Sequence, residues 1–111
     1  MSDFQKTKDL YSSYLIPTYA PDMLLVRGQG AWLWDDQGRK YLDFGSGIGV
    51  CSLGHCHPAV TKAVSEQAAK LVHVSNLYMN ENQPRLAEKL VSHGFPGGLA
   101  FFSNSGAEAN E

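Results

Sequence analysis

The stretch that decides the fold covers residues 23–44 and reads MLLVRGQGAWLWDDQGRKYLDF. Short runs rich in aliphatic and aromatic residues alternate here with two turn sequences, Gly28-Gln29-Gly30 and Asp36-Gln37-Gly38. Glycine supplies the positive φ that a tight hairpin turn needs. The pattern therefore predicts a three-stranded antiparallel meander.

The residues before the meander predict a helix and an arm. Residues 3–14 are polar and helical in character, whereas residues 16–21 contain Pro17 and Pro21. Each proline disfavours helix in the residue before it. We therefore expect an amino-terminal helix that leads into an extended arm within residues 1–22.

The residues after the meander predict a glycine-rich connection and two helices. Small side chains over residues 45–54 let the backbone approach another backbone or a ligand. The helices are expected over residues 58–71 and 84–93, because a proline stands at the favoured first position of each. Their inward faces would carry Val60, Val64, Ala68 and Leu71 in the first helix and Leu86, Leu90 and Val91 in the second.

The last residues predict a buried strand that turns into a helix. Residues 99–104 have the short, continuous apolar run of a strand in a parallel sheet, and residues 105–111 switch to small and helix-forming types. A parallel strand needs neighbours that this chain does not supply. We therefore expect the chain to be part of a longer protein.

Composition argues against several classes of function. The chain has 111 residues, a formal net charge of -2 and scattered basic residues, which give no electrostatic footprint for nucleic acid. It has no apolar run of membrane-spanning length and no secretion signal at its start, so a cytoplasmic protein is expected. Cys51 and Cys56 are expected to be reduced thiols.

The turn Ser105-Gly106-Ala107-Glu108 is the sharpest candidate site. The first amides of a helix have no intrahelical acceptor, and the helix dipole presents positive potential there, so small residues at a strand-to-helix turn can hold a phosphate. Ser105 would add a hydroxyl donor. The alternative is a plain capping box, in which Ser105 caps the helix and Glu108 completes the box. Spacing alone favours the cap, which is much the commoner feature.

Two other motifs suggest a zinc site and a dinucleotide-binding site, but the geometry of each motif argues against that site. His55-Cys56-His57, with Cys51 upstream, suggests zinc, but adjacent residues of an extended segment point to opposite sides. We expect instead a turn that caps the helix beginning at Pro58, with His57 near the amino terminus of that helix and no metal. The glycines of residues 45–49 lack the spacing and the parallel context of a dinucleotide fingerprint.

Taken in order, the segments of the chain resemble class III pyridoxal-phosphate-dependent aminotransferases of the acetylornithine and ornithine group. The resemblance is carried by residues 19–21, 27–35, 38–44, 47–50, 53–58, 73–78 and 102–111. It implies the amino-terminal part of a fold-type I enzyme of the α/β class, with α+β character in this part. Residues 1–22 would form the helix and arm, residues 23–57 the small-domain meander and connection, and residues 58–111 the helices and first strand of a truncated large domain.

The resemblance also implies a site and its ligands. The backbone amides of Gly106 and Ala107, with Ser105, would hold the phosphate of pyridoxal 5'-phosphate. Tyr19, Asn76 and Tyr78, which taken alone read as surface residues in irregular segments, would contact the substrate. The parent enzyme would be a homodimer with active sites at the subunit interface.

The implied reaction converts N-acetylornithine and 2-oxoglutarate to N-acetylglutamate 5-semialdehyde and glutamate by ping-pong chemistry. Ornithine, succinylornithine and 4-aminobutyrate aminotransferases are the alternatives within the family, and a non-catalytic phosphate- or metal-binding module is the alternative outside it. The cofactor lysine, the carboxylate at the pyridine nitrogen and the substrate arginine would all lie beyond Glu111. The chain alone is therefore expected to be inactive.

Overall fold

The computed structural model describes residues 3–111, which form two compact units that divide between Ala69 and Lys70. The elements are α1 (Asp3–Tyr14), β1 (Leu25–Gln29), β2 (Trp32–Asp35), β3 (Lys40–Leu42), α2 (Ser46–Gly49), α3 (Pro58–Lys70), α4 (Asn82–Gly94) and α5 (Gly106–Asn110). Among these residues, no helix has the length and apolar character that crossing a membrane requires.

The predicted meander is confirmed. The strands form one sheet in the order β1-β2-β3, and both neighbouring pairs are antiparallel. Gly38 adopts a φ of 78° in the turn between β2 and β3, and Gly30 a φ of 56° after β1. The glycines therefore do what the sequence pattern predicted. The pairing of β1 with β2 also contains an irregularity between Leu25 and Arg27 that the sequence did not indicate.

The Asp35 carboxylate organises the turn between β2 and β3. Its Oδ1 accepts hydrogen bonds from the amides of Gln37 (3.0 Å) and Arg39 (2.8 Å), and its Oδ2 accepts from Arg39 Nε (2.6 Å) and Tyr41 Oη (2.9 Å). Asp35 is 1% exposed. Burial acts to raise its pKa, but these hydrogen bonds outweigh burial and lower the pKa to about 2. The ionised side chain thus stabilises the turn.

The amino-terminal helix is confirmed as well. The amide of Phe4 donates to Asp36 Oδ2 (3.0 Å), so the turn that follows β2 supplies an acceptor for the first turn of α1. The helix ends at Tyr14, ahead of Pro17. Residues 21–24, between the arm and β1, have no regular secondary structure.

The glycine-rich connection contains a turn that the sequence did not predict. The four residues of α2 all have positive φ: 46° at Ser46, 59° at Gly47, 62° at Ile48 and 83° at Gly49. The turn is therefore left-handed, although Ser46 and Ile48 carry a Cβ atom that disfavours this conformation.

The two longer helices agree with prediction within a few residues. α3 begins at Pro58, as predicted, and the amide of Ala59 donates to His57 Nδ1 (3.3 Å), a bond that the sequence did not indicate. α4 begins two residues before the predicted Pro84, because Asn80 Oδ1 accepts from the amides of Asn82 (3.1 Å) and Gln83 (2.9 Å). Asn80, which precedes the cap residue Glu81, thus supplies an acceptor for two amides ahead of Pro84.

The prediction of a buried strand over residues 99–104 is wrong for this chain. These residues have no regular secondary structure, and Leu99 is 99% exposed. A strand requires a neighbouring backbone with which to share ladder hydrogen bonds. Among residues 3–111, no strand pairs with this segment.

The predicted inward faces of the helices are present but not buried. Val60, Val64, Leu86 and Leu90 all remain exposed, and Val91 is half-buried. Among residues 3–111, no apolar side chain is buried at all. The faces therefore lack the partner surfaces that amphipathic helices require.

We predict that acid weakens the meander through Asp35. Its pKa is about 2 in the fold against an ordinary 3.8, so its stabilisation is present above pH 3.8 and is lost as the pH falls towards about 2. Acid unfolding followed by the fluorescence of Trp32 and Trp34 should show this loss. The Asp35→Asn variant should be less stable at neutral pH and should lack this part of the acid transition. An exposed control, Asp22→Asn, should behave like the wild type, and an unchanged acid transition in Asp35→Asn would contradict the assignment.

We also predict that the 111-residue chain, prepared by itself, is oligomeric or poorly stable. Each Å² of apolar surface left in water forgoes roughly 25 cal/mol of stabilisation. Sedimentation over a range of concentrations should show association. A dilute monomer with a sharp, cooperative thermal transition would count against this prediction.

Candidate functional site

The turn before α5 has free donors where a phosphate site needs them. Ser105 is extended (φ -149°, ψ 161°), and α5 begins at Gly106. The Ser105 carbonyl accepts from the amide of Ala109 (3.1 Å). Within residues 3–111, the amides of Gly106 and Ala107 donate to no protein acceptor. Two adjacent amides at the positive end of a helix are therefore available to an anion.

The alternative reading, a capped helix, is also realised. Ser105 Oγ accepts from the amide of Glu108 (3.3 Å), and Glu108 Oε2 accepts from the amide of Asn104 (2.8 Å). A standard capping box would place the glutamate on the amide of the cap residue itself, so the return bond here is shifted by one residue. The cap uses the amides of Asn104 and Glu108 and leaves those of Gly106 and Ala107. The cap is therefore present, and the phosphate site stays a prediction.

The space beside Gly106 is open among the described residues. A Cβ placed on Gly106 would meet no protein atom within 4 Å, and the φ of Gly106 is not in the left-handed region. Neither internal packing nor backbone conformation therefore requires glycine here. Close approach of a ligand to the backbone is a physical reason that remains. The Ser105 hydroxyl still has its own proton to donate, since its oxygen is the acceptor in the bond from Glu108. These donors suit the phosphate of pyridoxal 5'-phosphate.

The predicted substrate residues lie in two different parts of the chain. Tyr19 lies in the arm of the first unit and is 86% exposed. Asn76 and Tyr78 lie in the loop between α3 and α4, in the second unit, and both are exposed. Near them, Ser75 has a φ of 61°, and its amide donates to His73 Nε2 (3.2 Å). Tyr19, Asn76 and Tyr78 are accessible to a ligand, and their role as substrate contacts stays a prediction.

The cysteine and histidine side chains of residues 51–57 do not converge on one site and make separate contacts. His55 Nε2 lies 2.6 Å from Asp43 Oδ2, and His57 serves the cap of α3. Cys51 and Cys56 are free thiols, and both line an open concavity of about 640 Å³ beside α3. Within residues 3–111, no group of three metal-ligating side chains comes together.

The pairing of Asp43 with His55 was missed by the sequence reasoning. The His55 hydrogen bond and the amides of Gly45 and Ser46 lower the pKa of Asp43 below its ordinary value, because all three favour the charged carboxylate. An acidic residue before a glycine-rich loop and a histidine after it were visible signals. Neither residue type alone indicates which partner it will meet.

Comparisons with known proteins agree with the resemblance. The sequence profile of the family Aminotransferase class-III matches residues 17–111. An acetylornithine aminotransferase from Nitrosomonas europaea is 54% identical over 102 residues, which cover 89% of this chain and 25% of that protein. A succinylornithine transaminase from Yersinia enterocolitica is 52% identical over 106 residues, which cover 95% of this chain and 25% of that protein. The chain thus spans about a quarter of the length of these relatives.

Solved structures show the same fold. An N-acetylornithine aminotransferase from Stenotrophomonas maltophilia matches with a TM-score of 0.80 at 43% identity, over 92% of this chain and 27% of that one. An ornithine aminotransferase from Toxoplasma gondii, described with partial occupancy of PLP at its active site, matches with a TM-score of 0.89 at 29% identity, over 98% of this chain and 26% of that one. Because the family profile covers residues 17–111 and both folds agree, this chain belongs to the class III aminotransferases.

Proposed function

We propose that the whole protein is a pyridoxal-phosphate-dependent aminotransferase. It would convert N-acetylornithine and 2-oxoglutarate to N-acetylglutamate 5-semialdehyde and glutamate. The observation that carries the proposal is the turn before α5, in a chain of this family, where the amides of Gly106 and Ala107 have no acceptor among residues 3–111. An ordinary helix cap does not require glycine at that position.

In this proposal, residues 105–107 bind and orient the cofactor. The amides of Gly106 and Ala107 donate to the phosphate oxygens, and the Ser105 hydroxyl adds a third donor. The positive end of α5 contributes potential of the right sign for a dianion. Pyridoxal phosphate, when bound, supplies an electron sink for the bonds at the amino-bearing carbon. Fixing its phosphate holds the ring in one place relative to the substrate.

Glu108 limits how the phosphate approaches. Its carboxylate accepts from the amide of Asn104 and is therefore held close to the start of α5. Two negative groups repel each other at short distance, so the phosphate would bind away from the Glu108 carboxylate. Of the three proposed cofactor residues, Gly106 would therefore tolerate a larger side chain least.

The substrate contacts are proposed from the resemblance together with exposure. Tyr19, Asn76 and Tyr78 present polar atoms on irregular segments, where binding residues are often found. A tyrosine hydroxyl and an asparagine amide can both donate to a carboxylate or accept from an ammonium group. These properties suit amino acid and 2-oxo acid substrates.

The wider features of the whole protein are proposed on the same basis. It would be a homodimer in the cytoplasm, acting in arginine biosynthesis on small molecules and on neither nucleic acid nor membrane. Residues 23–57 would belong to its small domain, and residues 58–111 would begin its large domain.

The choice of amino donor is tested by comparing substrates. Full-length enzyme should show a higher kcat/KM with N-acetylornithine than with ornithine, succinylornithine or 4-aminobutyrate. The comparison with succinylornithine is the most important one. A succinylornithine transaminase is 52% identical to this chain, and an acetylornithine aminotransferase is 54% identical. A kcat/KM at least as high for any competitor would reassign the donor without affecting the family.

The phosphate site is tested by substitution in the full-length protein. Gly106→Val should weaken retention of pyridoxal phosphate strongly, because a branched side chain would fill the space that the phosphate needs, while the fold stays largely intact. Ser105→Ala should be milder, since it removes at most one charge-assisted hydrogen bond worth about 1.5 to 3 kcal/mol. Titration followed by cofactor absorbance measures both effects.

Gly94→Val provides the matched control, because Gly94 also faces open space without a left-handed φ and lies at the end of α4. It should retain the cofactor as the wild type does. If Gly106→Val binds pyridoxal phosphate as tightly as the wild type, the phosphate assignment fails and the turn is only a helix cap.

A further inference from the structure

Asp36 forms hydrogen bonds with both ends of one segment of the chain. Its carboxylate Oδ2 accepts a hydrogen bond from the amide of Phe4 (3.0 Å), at the start of α1. Its own amide donates to the carbonyl of Leu24 (3.2 Å), immediately before β1. We call residues 4–24, which run between these two bonds, the strap. One residue of the turn between β2 and β3 thus closes the strap against the meander.

Within the strap, α1 lacks the packing that normally stabilises a helix. Among residues 3–111, α1 packs against no other helix or strand. Its larger apolar side chains are exposed, at 58% for Leu10, 49% for Tyr11 and 80% for Tyr14. Most of the stability of a helix in a protein comes from packing an apolar face. That contribution is missing for α1 in this part of the chain.

The contacts inside α1 are too weak to replace it. Lys6 Nζ lies 3.8 Å from Asp3 Oδ1, and Gln5 Nε2 donates to Asp9 Oδ1 (2.8 Å), with all four side chains exposed. Exposed pairs of this kind change a helix equilibrium by about twofold or less each. Isolated helices shorter than about 12 to 15 residues are marginal in water, and α1 has 12 residues. The helical state of α1 therefore depends on interactions from outside the helix.

Asp36 supplies such an interaction from a fixed position. The turn that contains it is held by the hydrogen bonds of Asp35, and Asp36 itself is half-buried. A carboxylate at the amino-terminal end of a helix accepts from an amide that has no partner inside the helix, and it faces the positive end of the helix dipole. The bond to Leu24 joins two backbone groups and does not need the Asp36 side chain.

We propose that the bond between Asp36 and Phe4 controls an order–disorder transition of α1. When the bond is formed, residues 3–14 are helical and the start of α1 is held at the turn. When the bond breaks, α1 loses its helix, while the bond between Asp36 and Leu24 persists. The strap therefore opens from its amino-terminal end. This transition is independent of the proposed aminotransferase function.

Hydrogen exchange in the full-length protein, measured by mass spectrometry, tests the proposal. Asp36→Ala removes the acceptor for the Phe4 amide and keeps the amide that binds Leu24. Peptides that cover α1 should then exchange roughly two- to thirtyfold faster, which is the effect of removing one helix cap. Asp36→Asn keeps a side-chain oxygen and should give a smaller increase. It also provides the measurement if Asp36→Ala does not fold.

Two controls show whether the effect is specific. Asp22→Ala removes an exposed aspartate of the same strap that lies outside α1, and it should leave the exchange of α1 unchanged. Peptides that cover residues 37–42 report on the turn and on β3. They should keep wild-type exchange in every variant, because the bonds of Asp35 remain.

A further substitution separates loss of the helix from loss of docking alone. Ser13→Ala raises the helix propensity of an exposed position in α1 and leaves Asp36 unchanged. Combined with Asp36→Ala, it should slow the exchange of α1 by about twofold relative to Asp36→Ala alone.

Three results would overturn the proposal. The first is wild-type exchange of α1 in Asp36→Ala. The second is an equal acceleration in residues 37–42, because the substitution would then have disrupted the turn. The third is the absence of any slowing by Ser13→Ala, because α1 would then remain helical after its release from Asp36.

Discussion

The first unit depends on one buried carboxylate. Asp35 is buried at the end of β2 and is bound by two backbone amides, a guanidinium and a phenol from the residues that follow it. These bonds set the turn that brings β3 back beside β2. The same turn provides Asp36, which accepts from the start of α1, and β3 leads to Asp43, which holds the glycine-rich loop. Local hydrogen bonds between polar groups therefore determine the conformation of this part of the chain, and buried apolar side chains do not.

Among residues 3–111, no apolar side chain is buried. This agrees with the short length of the chain relative to the proteins that it matches. The chain spans about a quarter of the length of its relatives and presents helix faces with half-exposed leucines and valines. Amphipathic helices obtain most of their stability from packing such faces. The local elements nevertheless form, and the side chains of His57, Asn80 and Ser105 each accept a hydrogen bond from an amide in the first turn of the helix that follows.

Sequence reasoning succeeded where the controlling interaction is local. Gly38 predicted its hairpin and Pro58 its helix, because turn conformation and helix initiation depend on neighbouring residues. It failed for residues 99–104, where a strand depends on a partner backbone that this chain does not provide. In the candidate site, Ser105, Gly106 and Ala107 were assigned to the phosphate by the family resemblance, since spacing alone favoured a plain helix cap. The bond between Asp43 and His55 could not be predicted, because it joins residues twelve positions apart through the fold.

We propose that one short turn serves both as a helix cap and as the cofactor's phosphate site. A crystal structure of the full-length protein with pyridoxal phosphate tests it most directly. The account predicts phosphate oxygens within about 2.7 to 3.2 Å of the amide nitrogens of both Gly106 and Ala107. It also predicts that the Glu108 carboxylate stays on the far side of the turn from the phosphate. A phosphate bound elsewhere, with the two amides facing only water, would contradict the account.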